Sequence, residues 1–308
     1  MTTSNSIQKV GIVGAGVMGA GIAEVTAAAG LPTVLVKATP GKTEPVRERI
    51  EASLQKRVDR GKLDPEVAAA ARKNLDITSD REALSDRDLI VESIVENLAE
   101  KRMLFSQLDG HVDRRAIFAS NTSTLRIRDL ADGLRADRTI GMHFFSPVPA
   151  MSLVELAYLP ETDPAVMERA KAFVDHIGKT AVPVMDSTGF VVNRLLVPYL
   201  LGAIRAYSQG LAEAPEIDTA MKLGCGHPMG PLALSDLIGL DVVFAMAKLL
   251  YKDFGDASYQ PPPLLRRLVQ EGSLGKKTKL GLYDYSTNPP QPNQALRELI
   301  RHGGEDAA

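Results

Sequence analysis

The chain has no tryptophan, one cysteine and few aromatic residues, 5% in all. A lone thiol, Cys225, excludes an intramolecular disulfide and a cysteine-ligated zinc cluster. An excess of either charge is also missing. With 36 basic and 38 acidic residues the net charge is −2, so no global field argues for a nucleic acid or an anionic membrane. No apolar run approaches membrane-spanning length, and the opening MTTSNSIQK lacks the apolar core of a secretory leader. These absences set the expectation of a cytoplasmic protein that binds neither nucleic acid nor membrane. What is present is an ordinary globular composition, 44% hydrophobic and 24% charged. Its 308 residues suffice for two domains, each with its own core.

Up to about residue 185, short apolar runs alternate with helix-period stretches. Residues 8–13, 33–37, 89–93, 116–120, 139–145, 153–158 and 181–185 are expected as strands. Helical segments such as 17–29 and 98–109 lie between the early ones, the usual route to a parallel sheet with crossover helices. A long charged stretch, about 41–73, is interrupted only at Gly61 and at the LDPE helix start, 63–66, and is expected to form a helical hairpin flanking the sheet. After DSTGFVVNRLL the character changes. From Phe190 to about Leu274 nearly all of the sequence has helical period, with breaks at 209–216, 224–231 and 253–263. The expected organisation is therefore an α/β domain over 1–187 and an all-α domain over 188–308, with a helix-start cluster at 186–189 between them. STNPPQPNQ, Pro-rich and polar, is expected as a loosely held tail.

Gly14, Gly16 and Gly19 form G-x-G-x-x-G between an expected strand and an expected helix. In that setting Gly14 permits the tight turn, Gly16 lets a pyrophosphate approach the backbone, and Gly19 lets helix and strand pack closely. With Val17 and Met18 the loop opens a helix whose unpaired N–H groups attract phosphate. The next strand, TVLVK, ends in Lys37, where a dinucleotide fold usually has an acid that bonds the adenosine ribose.

Seven stretches carry a resemblance to a known family: GIVGAGVMGAGIAE, VESIVENLAEKRMLF, ASNTST, GMHFFSPVPAMSLVEL, TGFVVNRLLVPYL, DTAMKLGCGHPMGPLALSDLIGLD and LGKKTKLGLYDY. In this order, from residue 9 to residue 285, the chain resembles the 3-hydroxyacyl-CoA dehydrogenases, especially the short, single-function 3-hydroxybutyryl-CoA dehydrogenases. The resemblance implies a Rossmann-type domain followed by a helical domain, and a homodimer formed through the latter. It also implies reversible hydride transfer between the 3-hydroxyl carbon of an acyl-CoA and a nicotinamide. The acyl chain length stays open, as does an acyl carrier protein in place of CoA.

That reaction requires a base for the hydroxyl proton, and imidazole, which ionises near neutral pH, suits it. His143 in IGMHFF and Glu155 in SLVELAY lie 12 residues apart across Pro147 and Pro149, so two strands joined by a turn could set them side by side. In the family the matching pair is the catalytic dyad. Ser123 and Asn193 match positions that hold the substrate oxygen. By residue type alone the commoner readings are a strand-end turn for Ser123 and a polar group in a helix first turn for Asn193. Glu96, Lys101, Ser123 and Lys277 match cofactor contacts, and Ser146 falls near the nicotinamide. Ser53 and Arg60 fall where the helical arm touches CoA, Arg60 replacing a common lysine; a solvated helix face is the other reading. Cys225 and His227 in GCGHPMGP are read as structural, with no metal role.

Several positions depart from the family pattern. Lys37 replaces the ribose acid, Ser146 an Asn, Lys279 a Gly and Leu282 a common Phe. An acid accepts bonds from ribose hydroxyls and repels a 2′-phosphate. A lysine, with Thr39 and Lys42 nearby in sequence, favours NADP over NAD. The bland alternative is an exposed lysine that merely weakens NAD. The departures also leave open a scaffold turned to non-redox acid–base work by His143 and Glu155, such as hydrolysis or ring opening. A non-catalytic nucleotide binder is a third reading, opposed by the intact Ser123, His143, Glu155 and Asn193.

Overall fold

A computed structural model describes residues 6–39 and 41–301. The chain divides into two compact units after Phe190, three residues beyond the expected boundary. In the first unit β1 (Val10–Val13), β2 (Thr33–Val36), β3 (Leu75–Thr78), β4 (Leu89–Glu92), β5 (Ile117–Ser120), β6 (Thr139–Phe144), β7 (Leu153–Tyr158) and β8 (Thr180–Met185) make one sheet. Their order is β3-β2-β1-β4-β5-β6-β7-β8, parallel throughout except where β6 meets β7. The central strands β1, β2, β4 and β5 are buried along their whole length, which is why they are continuous apolar runs rather than alternating ones.

Helices α1 (Val17–Ala28), α4 (Leu98–Asp109), α5 (Ile127–Ala131) and α6 (Pro164–His176) connect the strands. The chain between β2 and β3 forms α2 (Glu44–Asp59) and α3 (Pro65–Asn74), the expected hairpin. Gly61 takes φ +65° at its turn, and the Asp64 side chain caps α3 through the Glu66 N–H. Val46, Ile50 and Leu54 bury one face of α2 in the core. Arg57 fixes the arm to α1 through Glu24 at 2.8 Å. Strand β3 was not anticipated, because a four-residue edge strand of LDIT, half exposed, carries little periodic signal. The Pro40 half of the Pro-Gly pair after β2 lies outside the described residues.

In the second unit α7 (Val192–Ser208), α8 (Ala214–Cys225), α9 (Pro231–Ile238), α10 (Leu240–Phe254) and α11 (Pro263–Gln270) surround a core that includes Leu200, Leu232, Val243 and Leu264. Two buried aspartates organise it. Asp218 accepts the N–H groups of Leu232 and Ala233 at the start of α9, and the Tyr283 hydroxyl at 2.7 Å. Asp236 accepts the N–H groups of Leu282 and Tyr283. The C-terminal segment differs from the expected loose tail. Strands β9 (Tyr283–Asp284) and β10 (Gln291–Pro292) pair, α12 (Gln294–Arg301) follows, and Leu296 is buried in the core. The Asn293 amide closes this hairpin on the Gly281 carbonyl at 2.7 Å; residues 302–308 lie outside the described residues. Among the described residues no helix is long and apolar enough to cross a membrane.

Candidate active site

His143 and Glu155 are register partners in the antiparallel β6/β7 pair, so their side chains stand on one face directly opposite each other. That pairing explains the 12-residue separation. Imidazole Nδ1 lies 2.8 Å from Glu155 Oε2, and Nε2 lies 3.0 Å from Ser123 Oγ. Both dyad side chains are almost fully enclosed. The rings of Phe145 and Phe190 wall the imidazole, at 4.5 and 5.7 Å between centroids. Phe190 takes φ +47°, a backbone region that bulky residues seldom enter.

The turn between β6 and β7 is anchored from below. The Lys179 ammonium, itself buried, donates to the carbonyls of Val148 and Met151 at 2.7 and 2.6 Å. Burial, and then the Arg57 charge, hold it below the ordinary lysine range. The other face of the turn packs on α1, where a Cβ added to Gly21 would meet Val148 at 2.9 Å. Ser146 is exposed on this turn.

Ser123 is positioned by a carboxylate. Glu96 Oε1 accepts the N–H groups of Ser123 and Thr124, each at 3.0 Å, and the hydroxyls of Thr122 and Thr124 at 2.6 and 2.8 Å. Burial alone would raise its pKa, but the Lys101 charge and the Thr122 and Thr124 hydroxyls hold it below the usual carboxylate range. Lys101, expected as a cofactor contact, lies beneath this loop. It is 1% exposed, with its ammonium 2.6 Å from the fully buried Glu92 and 3.2 Å from Glu96, so it supports the loop from beneath. Glu92 also accepts the Ser120 hydroxyl at 2.6 Å. The Asn121 side chain accepts the Phe144 N–H at 2.8 Å, tying the same loop to the strand that carries His143.

At the C-terminal end of β1 the order of the sheet reverses, with β2 on one side and β4 on the other, the place where open α/β sheets bind ligands. The glycine loop there fits a dinucleotide. Gly14 takes φ +113°, and a Cβ on it would run into the Ser93 carbonyl. One on Gly16 would meet nothing within 4 Å, which leaves the space above this backbone clear for a phosphate. Val17 is exposed, Met18 half-buried, and Gly19 buried against the Gly14 carbonyl. Lys37 follows β2 directly, and its N–H still bonds the Thr78 carbonyl at 2.8 Å. Its ammonium donates to the carbonyl and hydroxyl oxygens of Thr39 at 2.9 and 3.3 Å, at the mouth of the β2–α2 loop.

On the arm Ser53 is half-buried within α2, and Arg60 is the exposed residue that caps the helix C-terminus. Asn193 and Lys277 belong to the second unit, Asn193 in the first turn of α7. The Lys277 ammonium is paired with both oxygens of Asp241 at 2.5 and 2.6 Å. Lys279 takes φ +62°, a left-handed backbone that explains why glycine suits this position. His227 bonds the Tyr199 hydroxyl at 2.9 Å, a structural contact. Sequence reading missed Glu92, Thr122, Phe190 and Lys179. Their roles depend on partners distant in the chain, and only the buried-strand position of Glu92 was a visible signal.

Residues 9–187 match the NAD binding domain of 3-hydroxyacyl-CoA dehydrogenase, and residues 189–285 match that enzyme's C-terminal domain. A 3-hydroxybutyryl-CoA dehydrogenase of Mycobacterium tuberculosis is 44% identical over 285 residues, 92% of this chain and 100% of that protein. The human mitochondrial hydroxyacyl-coenzyme A dehydrogenase is 44% identical over 91% of each chain. The crystal structure of (S)-3-hydroxybutyryl-CoA dehydrogenase from Ralstonia eutropha superposes with a TM-score of 0.88 at 41% identity, covering 92% of this chain and 100% of that one. Across both units, therefore, the chain belongs to the 3-hydroxyacyl-CoA dehydrogenase family and is an oxidoreductase built for a nicotinamide cofactor.

Proposed function

We propose that this chain interconverts a 3-hydroxyacyl-CoA, of the 3-hydroxybutyryl-CoA kind, with its 3-oxo counterpart, using NADP(H) in preference to NAD(H). The observation that carries the proposal is the Ser123–His143–Glu155 relay, with links of 3.0 and 2.8 Å. Glu155 accepts the Nδ1–H of His143, which leaves the Nε2 lone pair facing Ser123 and the space beyond it. In the oxidative direction Nε2 takes the substrate hydroxyl proton, and Glu155 stabilises the imidazolium that forms. Bound nicotinamide supplies the acceptor or donor of the hydride. In the reverse direction the imidazolium returns its proton to the ketone oxygen. Ser123 suits both directions, because a hydroxyl donates to a ketone and accepts from an alcohol.

The glycine loop, with Gly14, Gly16, Val17, Met18 and Gly19, would hold the pyrophosphate, and Lys37 a 2′-phosphate. A charge-assisted bond of that kind contributes about 1.5–3 kcal/mol, roughly ten- to 150-fold in affinity. Glu96, Ser146 and Lys277 are carried as proposed cofactor contacts, Asn193 as a contact to the substrate oxygen, and Ser53 and Arg60 as contacts to CoA. A homodimer is proposed on the same family footing, and a cytoplasmic location on the sequence expectation given above. The test is a kinetic comparison of NADPH and NADH with acetoacetyl-CoA. A higher kcat/KM with NADPH is expected; a preference for NADH would remove the role given to Lys37.

A further inference from the structure

Arg49 lies on α2, the helix that follows β2, yet its guanidinium reaches the glycine loop between β1 and α1. Nη2 donates to the Ala15 carbonyl at 2.5 Å and to the Gly16 carbonyl at 3.3 Å. The side chain therefore ties α2, which follows the loop after β2, to the glycine loop. In an open α/β sheet the adenosine half of a dinucleotide occupies the crevice between those two loops. Most arginines of the first unit have a carboxylate partner, as Arg57 has in Glu24 and Arg72 in Glu51. Arg49 has none among the described residues, and its Nε and Nη1 donors make no bond there. An exposed guanidinium, anchored through one nitrogen and uncompensated in charge, is thus held at the crevice with its remaining donors available.

We propose that Arg49 is the second cation of an adenosine 2′-phosphate site, with Lys37 the first, and that it sets nucleotide preference. The inference rests on the NADP(H) reading above. Lys37 directly follows β2, and Arg49 reaches the glycine loop from α2, so the two cations come from different elements. The two carbonyl bonds fix the guanidinium before ligand arrives, which lowers the ordering cost of a phosphate contact. An Arg that served only to shape the loop would support every nucleotide equally. An Arg that grips the 2′-phosphate discriminates between ligands that differ in that group alone.

The experiment measures dissociation constants of 2′,5′-ADP and 5′-AMP for wild type, Arg49→Gln and Arg49→Lys at one ionic strength, beside the KM for acetoacetyl-CoA. Wild type should bind 2′,5′-ADP more tightly than 5′-AMP. Arg49→Gln should weaken 2′,5′-ADP at least about tenfold and leave 5′-AMP within about twofold, with Arg49→Lys between the two. Equal losses for both ligands would overturn the assignment and make Arg49 a brace for the loop or a 5′-phosphate contact. A change confined to the acetoacetyl-CoA KM would overturn it in favour of a CoA phosphate. Wild type without preference for 2′,5′-ADP would defeat the NADP(H) reading itself, whatever the variants show.

Discussion

His143 meets three kinds of neighbour: a carboxylate at 2.8 Å, a hydroxyl at 3.0 Å and two aromatic rings. The rings exclude water, so the charge that Glu155 provides acts in a medium that screens it little. Glu155→Gln keeps an acceptor for Nδ1–H but removes that charge. It should lower turnover by roughly 10²–10⁴ while nucleotide affinity stays near that of wild type. Parallel losses in both would mean that the glutamate serves folding rather than proton transfer. At Lys37 the charge argument runs the other way. Lys37→Asp deletes a cation, sets an acid beside any 2′-phosphate and restores an acceptor for ribose hydroxyls. The ratio of NADP(H) to NAD(H) affinity should fall at least about tenfold at fixed ionic strength; an unchanged ratio would show that the lysine lies off the ribose. His143, Glu155 and Ser123 were legible because their motifs are long. The buried Glu92–Lys101 pair was not, since a charge in a sequence does not show what neutralises it.

Among the elements, the antiparallel β6/β7 pair does the most for the site, because its register alone places the dyad. Its turn is gripped by Lys179 on one side and packed on α1 on the other, so the helix after the glycine loop and the turn after His143 share one contact surface. The strands, the arm and the helix breaks of the second unit could be read from periodicity. Strand β3 and the closing hairpin could not, because short, polar segments are ordered here by distant partners such as Gly281 and Val36. That hairpin also carries a pH dependence. Burial, opposed by the N–H donors of Leu282 and Tyr283 and reinforced by the Asp218 charge, raises the Asp236 pKa to about 6. A raised pKa means that the folded unit holds the proton more tightly than the unfolded chain does. The resulting stability is full below about pH 4 and is lost as pH rises through about 6. Chemical denaturation of wild type and Asp236→Asn should therefore show their difference moving toward wild type by up to about 3 kcal/mol between pH 7 and pH 4. A difference independent of pH would place the Asp236 pKa near its ordinary value.

For the molecule as a whole, the two-part organisation followed from the change of period after DSTGFVVNRLL, whereas its assembly leaves a weaker trace. The second unit exposes Leu195, Leu223 and Leu237 on its helices at 68%, 82% and 50%, and Leu211 in the loop between α7 and α8 at 77%. If a second copy covers some of these side chains, the protein should sediment near twice its 33.2 kDa monomer mass. A monomer at every concentration would contradict this. The central claim is that His143 exchanges the proton in a redox reaction on a 3-oxoacyl-CoA. The most direct measurement is acetoacetyl-CoA-dependent loss of reduced nicotinamide absorbance for wild type and His143→Ala side by side, with NADPH and with NADH. Wild type should turn over and the variant should be slower by roughly 10²–10⁴; no turnover by wild type with either nucleotide, or a variant as fast as wild type, would contradict the account.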